Sequence, residues 1–175
     1  MSKLILLYGF AGSGKSTLAT KYCEDHPLAI SIEGDDIISM IGQWRSYEKE
    51  ARELVYEDTC SIAKVHLKAS RDVVIPYLLT DPASADEFNE IAKLSNSSFF
   101  EVYIKLPKED AIEQLLERGC WGEKGSPTLT DDDLPEIESL WTQMERAMDH
   151  RSPFVVKRET GNIDSTYRQL LKLVQ

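Results

Sequence analysis

Gly9, Gly14, Lys15 and Ser16 fall in the spacing G-x-x-x-x-G-K-[ST], and each position answers a requirement of gripping a polyphosphate. Glycines let the chain curl until successive N–H groups point inward as an anion nest. A helix expected from Lys15 onward adds the positive end of its dipole. Lys15 brings a point charge to β- and γ-phosphates. The Ser16 hydroxyl suits a magnesium ion that bridges phosphate oxygens. Ala11, Gly12, Ser13 and Thr17 complete the cradle. The chemistry implied is the binding of ATP with Mg²⁺. A chance glycine turn is the bland alternative. Against it, an apolar strand pattern ends at the motif and a helical pattern begins inside it.

A second constellation follows at Glu33-Gly34-Asp35-Asp36, where the apolar run Leu28 to Ile32 stops. In a doubly wound sheet the C-terminal ends of neighbouring strands converge on one crevice. With this strand near the first, Asp35 would approach the γ-phosphate. A carboxylate there can orient a hydroxyl, accept its proton, or help hold magnesium together with Ser16. Asp is also a common helix N-cap, so one of Asp35 and Asp36 is assigned to capping and Asp35 to chemistry.

The elements that must position these residues alternate along the chain. Lys3 to Tyr8 reads as a buried strand, and Lys15 to Asp25 as a helix broken at His26-Pro27. Leu28 to Ile32 is a second strand, and Ile37 to Trp44 a short helix or turn. Tyr47 to Ser70 is a long helix expected to bury Tyr47, Ala51, Leu54, Val55, Ile62 and Val65. Asp72 to Leu79 is a third strand, with Pro76 awkward inside it. Ser84 and Glu87 suggest a capping box opening a helix to about Leu94. Phe99 to Leu106 and Pro153 to Lys157 are further strands. Helices are expected at Lys108 to Arg118, from about Ile137 to Met148, and after an Asp164 cap. Residues 119–134 lack regular periodicity. The pattern predicts a single α/β domain over residues 1–175, with a largely parallel sheet and helices on both faces.

The bulk numbers agree. The 175 residues suit one domain, and 42% hydrophobic content supplies a core. The apolar run Leu4 to Leu7 is too short for a membrane span or export signal, so no membrane partner and a cytoplasmic location are expected. Cys23, Cys60 and Cys120, and His26, His66 and His150, show no metal-ligand spacing. A net charge of −10 disfavours a nucleic-acid partner through repulsion from its backbone. A small-molecule partner and a monomer or homodimer are expected.

With Gly9 to Thr17 and Ile32-Glu33-Gly34-Asp35-Asp36-Ile37 in view, the sequence resembles the small P-loop kinases related to gluconate, shikimate and adenylylsulfate kinases and chloramphenicol phosphotransferase. The kinase part of polynucleotide kinase is a more distant relative. The resemblance implies a three-layer P-loop NTPase fold with five mostly parallel strands in the order 2-3-1-4-5. It also implies a mobile lid, about residues 119–134, and a lid arginine. Arg118 sits where that arginine belongs. A guanidinium there could close over ATP phosphates or stack on adenine, or could be only a cation at a helix C-terminus. Arg146 and Arg151 are weaker candidates. Residues Glu159 to Asn162 would border adenine, and Asp36, Trp44 and Arg45 would line an acceptor pocket, with plain core packing the equal alternative for Trp44. Trp121 would cover substrate or anchor the lid, and Tyr77 would hydrogen-bond a substrate or, on the preferred reading, pack as a strand tyrosine.

Two departures qualify the resemblance. The third strand ends Ile75-Pro76-Tyr77 without the acid many P-loop enzymes place there, leaving magnesium to Ser16, Asp35 and water. The lid segment Trp121 to Asp133 is acidic and poor in arginine, which suits an acceptor carrying little negative charge. The function expected is transfer of the γ-phosphoryl group of ATP to a hydroxyl of a small molecule, with Lys15, Asp35 and Arg118 catalytic. The alternatives are a nucleotide or polynucleotide 5′-kinase and a non-catalytic ATP-binding regulatory module.

Overall fold

The first strand, β1 (Lys3–Tyr8), lies at the centre of the molecule, and Leu4 to Tyr8 are fully buried. Strand side chains alternate between faces, so a strand covered on both sides reads as an unbroken apolar run. Leu4, Leu6 and Tyr8 pack to one side and Ile5 and Leu7 to the other. Each fully buried leucine or isoleucine contributes roughly 1.5–3 kcal/mol.

A computed structural model of the chain describes residues 1–159 and 161–175. The described elements are β1, α1 (Lys15–Asp25), β2 (Ile30–Ser31), α2 (Gly34–Met40), α3 (Glu48–Lys68), β3 (Val73–Tyr77), α4 (Pro82–Leu94), β4 (Ser98–Lys105), α5 (Lys108–Arg118), α6 (Leu134–Met148), β5 (Phe154–Lys157) and α7 (Ile163–Leu173). All strand pairs are parallel, in the order β2-β3-β1-β4-β5. This is the expected P-loop arrangement. Helices α3 and α4 cover one face, and α1 and α7 the other. A third apolar cluster joins Phe10 to α5, α6 and Leu129. No helix among the described residues is long and apolar enough to cross a membrane.

Several local expectations change. The second strand shrinks to two residues, because Leu28 takes a positive φ of 64° and stays exposed. Helix α3 buries Ala51, Thr59, Cys60, Ala63 and Leu67, while Leu54, Ile62 and Val65 face outward. Small side chains let the helix approach its neighbours, and they outweigh the larger apolar residues chosen by periodicity. Helix α4 is capped by Asp81, which accepts from the Ala83 N–H at 3.0 Å. Ser84 instead meets the Tyr77 hydroxyl, and Glu87 accepts from Tyr56. The cap of α7 is Asn162, accepting from the Ser165 N–H, while Asp164 pairs with Lys21.

Pro76 is accommodated by topology. The carbonyls of Asp72 and Val74 both point to β2, accepting from Ile30 and Ile32. Alternation turns Pro76 toward the same side, two residue pairs beyond the end of β2. Its missing N–H therefore breaks no ladder bond.

Candidate functional site

The strand ends converge on one cavity of about 1220 Å³. Its floor is the loop from Gly9 to Gly14. A Cβ on Gly9 would lie 2.7 Å from the Ile104 carbonyl oxygen, and Gly9 has a φ of 156°, so only glycine fits against β4. Phe10 anchors the loop from below, packed against Trp141 of α6 at 5.1 Å between ring centres. Ser13 is fully buried, and its hydroxyl finds no partner among the described residues. Gly14, in the left-handed region, starts α1.

Lys15 folds back so that Nζ donates to the Phe10 carbonyl at 2.8 Å. Burial lowers its pKa to about 8, against the opposing pull of the Glu33 carboxylate. The Ser16 hydroxyl donates to Glu33 Oε2 at 3.1 Å. Burial raises the Glu33 carboxyl above its ordinary value, and the Ser16 hydrogen bond holds it back in part.

The carboxylate hydrogen-bonded to Ser16 is thus Glu33. Glu33 occupies the cap position of α2, with Asp35 and Asp36 in the first helical turn; no side chain caps this helix. That overturns the assignment of one aspartate to capping. Asp35 lines the cavity and Asp36 does not. The Asp35 residue keeps exposed surface, but its carboxyl is crowded by the lid. Burial raises its pKa, and the neighbouring Glu123 charge raises it further, against Arg118, Arg52 and Lys15.

The lid reaches across the cavity and is docked. A Cβ on Gly122, whose φ is 150°, would collide with the Asp35 carboxylate. Lys124 N–H donates to Ser39 Oγ at 3.1 Å, and Arg45 donates to the Lys124 carbonyl at 2.8 Å. Glu123 is buried and accepts from Arg52 at 3.2 Å and from Ser126 Oγ at 3.1 Å. Burial pushes the Glu123 carboxyl up, but donors from its own backbone, Ser126 and Arg52 outweigh it and hold its pKa low.

Ala11, Gly12, Thr17 and Arg118 line the cavity, as do Trp44, Arg45 and Trp121. Arg118 donates Nε to the Cys120 carbonyl at 2.8 Å and a terminal nitrogen to the Trp121 carbonyl, so it braces the lid base. Arg45 lies over the Trp44 ring at 4.3 Å. Tyr77 also reaches the cavity wall. Arg146 and Arg151 do not line it. Arg151 is spent on Glu101 through two bonds of 2.6 and 2.8 Å, and on Asp86. Cys23, Cys60 and Cys120 are free thiols, and no metal-holding cluster of three or more His, Cys, Asp or Glu occurs among the described residues.

Sequence reasoning missed Glu33, Arg52, Glu123 and Arg158. Arg158 follows β5 and lies against the phosphate loop: a Cβ on Gly14 would be 3.3 Å from its Nε. That Nε is buried and without a partner among the described residues. The segment Glu159 to Asn162, expected beside adenine, contains residue 160, which lies outside the described residues.

The family model described as AAA domain matches residues 4–131. No curated protein sequence matches the chain. Its fold is similar to that of a gluconokinase from Sinorhizobium meliloti 1021, with 15% identity and a TM-score of 0.64 over 99% of this chain and 91% of that one. It is also similar to shikimate kinase from Aquifex aeolicus, with 18% identity and a TM-score of 0.60 over 98% and 95%. A chain of the Pnkp1/Rnl/Hen1 RNA repair complex is similar as well, at 20% identity and a TM-score of 0.64. That match covers 91% of this chain but 50% of the other.

Proposed function

This chain belongs to the AAA domain family, and from that premise we propose that it is an ATP-dependent phosphotransferase acting on a hydroxyl of a small molecule. One observation carries the reading: the phosphate grip and the carboxylates Glu33 and Asp35 open on the same cavity. A nucleotide's γ-phosphate held by the first would lie within reach of the second.

The residues present fit a magnesium-bound triphosphate. A Cβ on Gly9 would meet the Ile104 carbonyl and one on Gly14 the Arg158 guanidinium, so the loop stays bare backbone at both positions. Lys15 supplies a desolvated cation, and Ser16 and Glu33 together offer oxygen ligands of the kind magnesium takes. When bound, magnesium would neutralise charge on the phosphates. Arg158 and Arg118 would flank the nucleotide from β5 and α5.

Asp35 orients the acceptor hydroxyl and takes its proton as that oxygen bonds to the γ-phosphorus. The bond from this phosphorus to the β–γ bridging oxygen breaks, and ADP departs. A positioned base of this kind is worth roughly 10²–10⁴-fold. A lid closed over Asp35 would limit the entry of water, which would otherwise compete as acceptor.

The test is ATP consumption against a panel of sugars, sugar acids, nucleosides and aminocyclitols. Stimulation by one hydroxyl compound, lost in Lys15→Ala, supports the phosphotransferase. Tight nucleotide binding with no turnover for any compound supports a regulatory ATP-binding module instead. A second reading, a polynucleotide 5′-kinase, draws support from the likeness to the RNA repair chain. The net charge of −10 opposes it. Competition by oligonucleotides would favour it.

A further inference from the structure

The acceptor side of the cavity is walled by α2, the short 3-10 turn Trp44–Ser46, α3 and the lid. It holds two guanidinium groups, Arg45 and Arg52. Both are already committed inside the chain. Arg52 donates Nε and a terminal nitrogen to Glu48 Oε1, at 3.0 and 2.9 Å, and the same terminal nitrogen reaches Glu123 Oε1 at 3.2 Å. Glu48 precedes Arg52 by one helical turn, so that compensation survives whatever the lid does. Arg45 spends its face on Trp44 and a donor on the Lys124 carbonyl.

Three carboxylates, Asp35, Glu48 and Glu123, share this wall with the two cations. The carboxyl of Asp35 receives no hydrogen bond among the described residues. An acceptor carrying phosphate or carboxylate would meet an excess of like charge, and it would have to draw Arg52 from two carboxylates already bonded to it. The rest of the wall is aromatic and neutral, with Trp44, Tyr56, Tyr77 and Trp121. Such faces suit the ring of an uncharged or amine-bearing hydroxyl compound.

We propose that Arg52 and Glu123 form a latch for the lid, not a seat for an anion, and that the acceptor carries no phosphate or carboxylate group. The proposal rests on the phosphotransferase reading and narrows its substrate class. Matched compounds test it: glucose with gluconate and glucose 6-phosphate, and uridine with its 5′-monophosphate. Each is assayed for ATP consumption. Each is also titrated into the isotope-labelled protein holding a non-hydrolysable ATP analogue and magnesium, with the Arg52 Nε–H signal assigned through Arg52→Lys. The expected result is an Arg52 signal unmoved by every anionic member. In any pair that turns over, kcat/KM should favour the neutral member at least tenfold. A saturable shift of Arg52 by an anionic member, or preferential turnover of one, overturns the proposal. Failure of the analogue to bind would instead sink the nucleotide reading. Binding without turnover of any compound would sink only the phosphotransferase, with the Arg52 titration still deciding the latch.

Discussion

The Ser16 hydroxyl and the Glu33 carboxylate meet at 3.1 Å and tie the phosphate loop to the end of β2. On the proposed reading this contact would let a metal be held although β3 ends in Ile75-Pro76-Tyr77: the acid would come from Glu33, at the start of α2 just after β2. Glu33→Gln should raise the magnesium concentration for half-maximal nucleotide binding about tenfold, a loss of about 1.4 kcal/mol. Nucleotide affinity measured in excess chelator should stay unchanged. A magnesium titration that matches wild type would remove Glu33 from the metal site.

Lys15 gives a pH signature. Burial lowers its pKa to about 8 in the nucleotide-free protein, so the protonated form is the disfavoured one. Its cost to stability is present below about 8 and disappears as pH rises to the unfolded value of 10.5. A triphosphate restores the preference for the ammonium. Above pH about 8, nucleotide binding should take up about one proton, and affinity should fall toward tenfold per pH unit. Calorimetry in two buffers of different ionisation heat checks this. Identical apparent heats at about pH 9 would contradict it.

The parts that sequence made legible are those written in contiguous residues. β1 and the phosphate loop form a continuous run whose burial on both faces forces an apolar string. The carboxylate cluster after β2 is equally visible, but which of its members meets Ser16 depends on the geometry at the start of α2, and that member is Glu33. Periodicity does not find the buried face of α3, since small residues such as Thr59 and Ala63 are the ones that pack there. Arg52 and Glu123 are 71 positions apart, and Arg158 reaches Gly14 from the last strand. Only the fold brings these together, so no local pattern could announce them.

Arg158 carries a buried Nε that has no partner among the described residues and lies against the phosphate loop. An unmet buried donor costs about 1–3 kcal/mol, and a bound anion would recover it. Arg158→Met should leave the melting temperature of the nucleotide-free protein equal or higher. The rise in melting temperature on adding ATP analogue should shrink, with affinity falling about tenfold, or 1.4 kcal/mol. Equal ligand-induced shifts in the two proteins would make Arg158 purely structural.

Gly122 sits where its Cα faces the Asp35 carboxylate, with no space for a methyl group. Gly122→Ala cannot seat the lid on Asp35 without moving one of them, and its positive φ adds strain. Turnover should drop about tenfold or more, while nucleotide affinity, which depends on the opposite wall, stays within about twofold. Both are read from kcat/KM and equilibrium binding. Loss of nucleotide affinity without loss of kcat would show that the lid acts elsewhere.

Asp35 and Glu123 are like charges pressed together by the lid. Burial and then the Glu123 charge raise the Asp35 pKa, so its ionised form is the disfavoured one in the folded protein. The resulting cost to stability is absent below the ordinary carboxylate range and present above the folded pKa. Asp35→Asn should therefore raise the melting temperature at neutral pH while cutting turnover by about 10²-fold or more. If Asp35 is the base, the acid limb of the kcat profile lies above the ordinary aspartate value of 3.8. Glu123→Gln removes the like charge and leaves Arg52 less neutralised. Both changes favour ionised Asp35, so the limb should move to lower pH. A limb that stays in place, or moves up, would assign the proton to a different group.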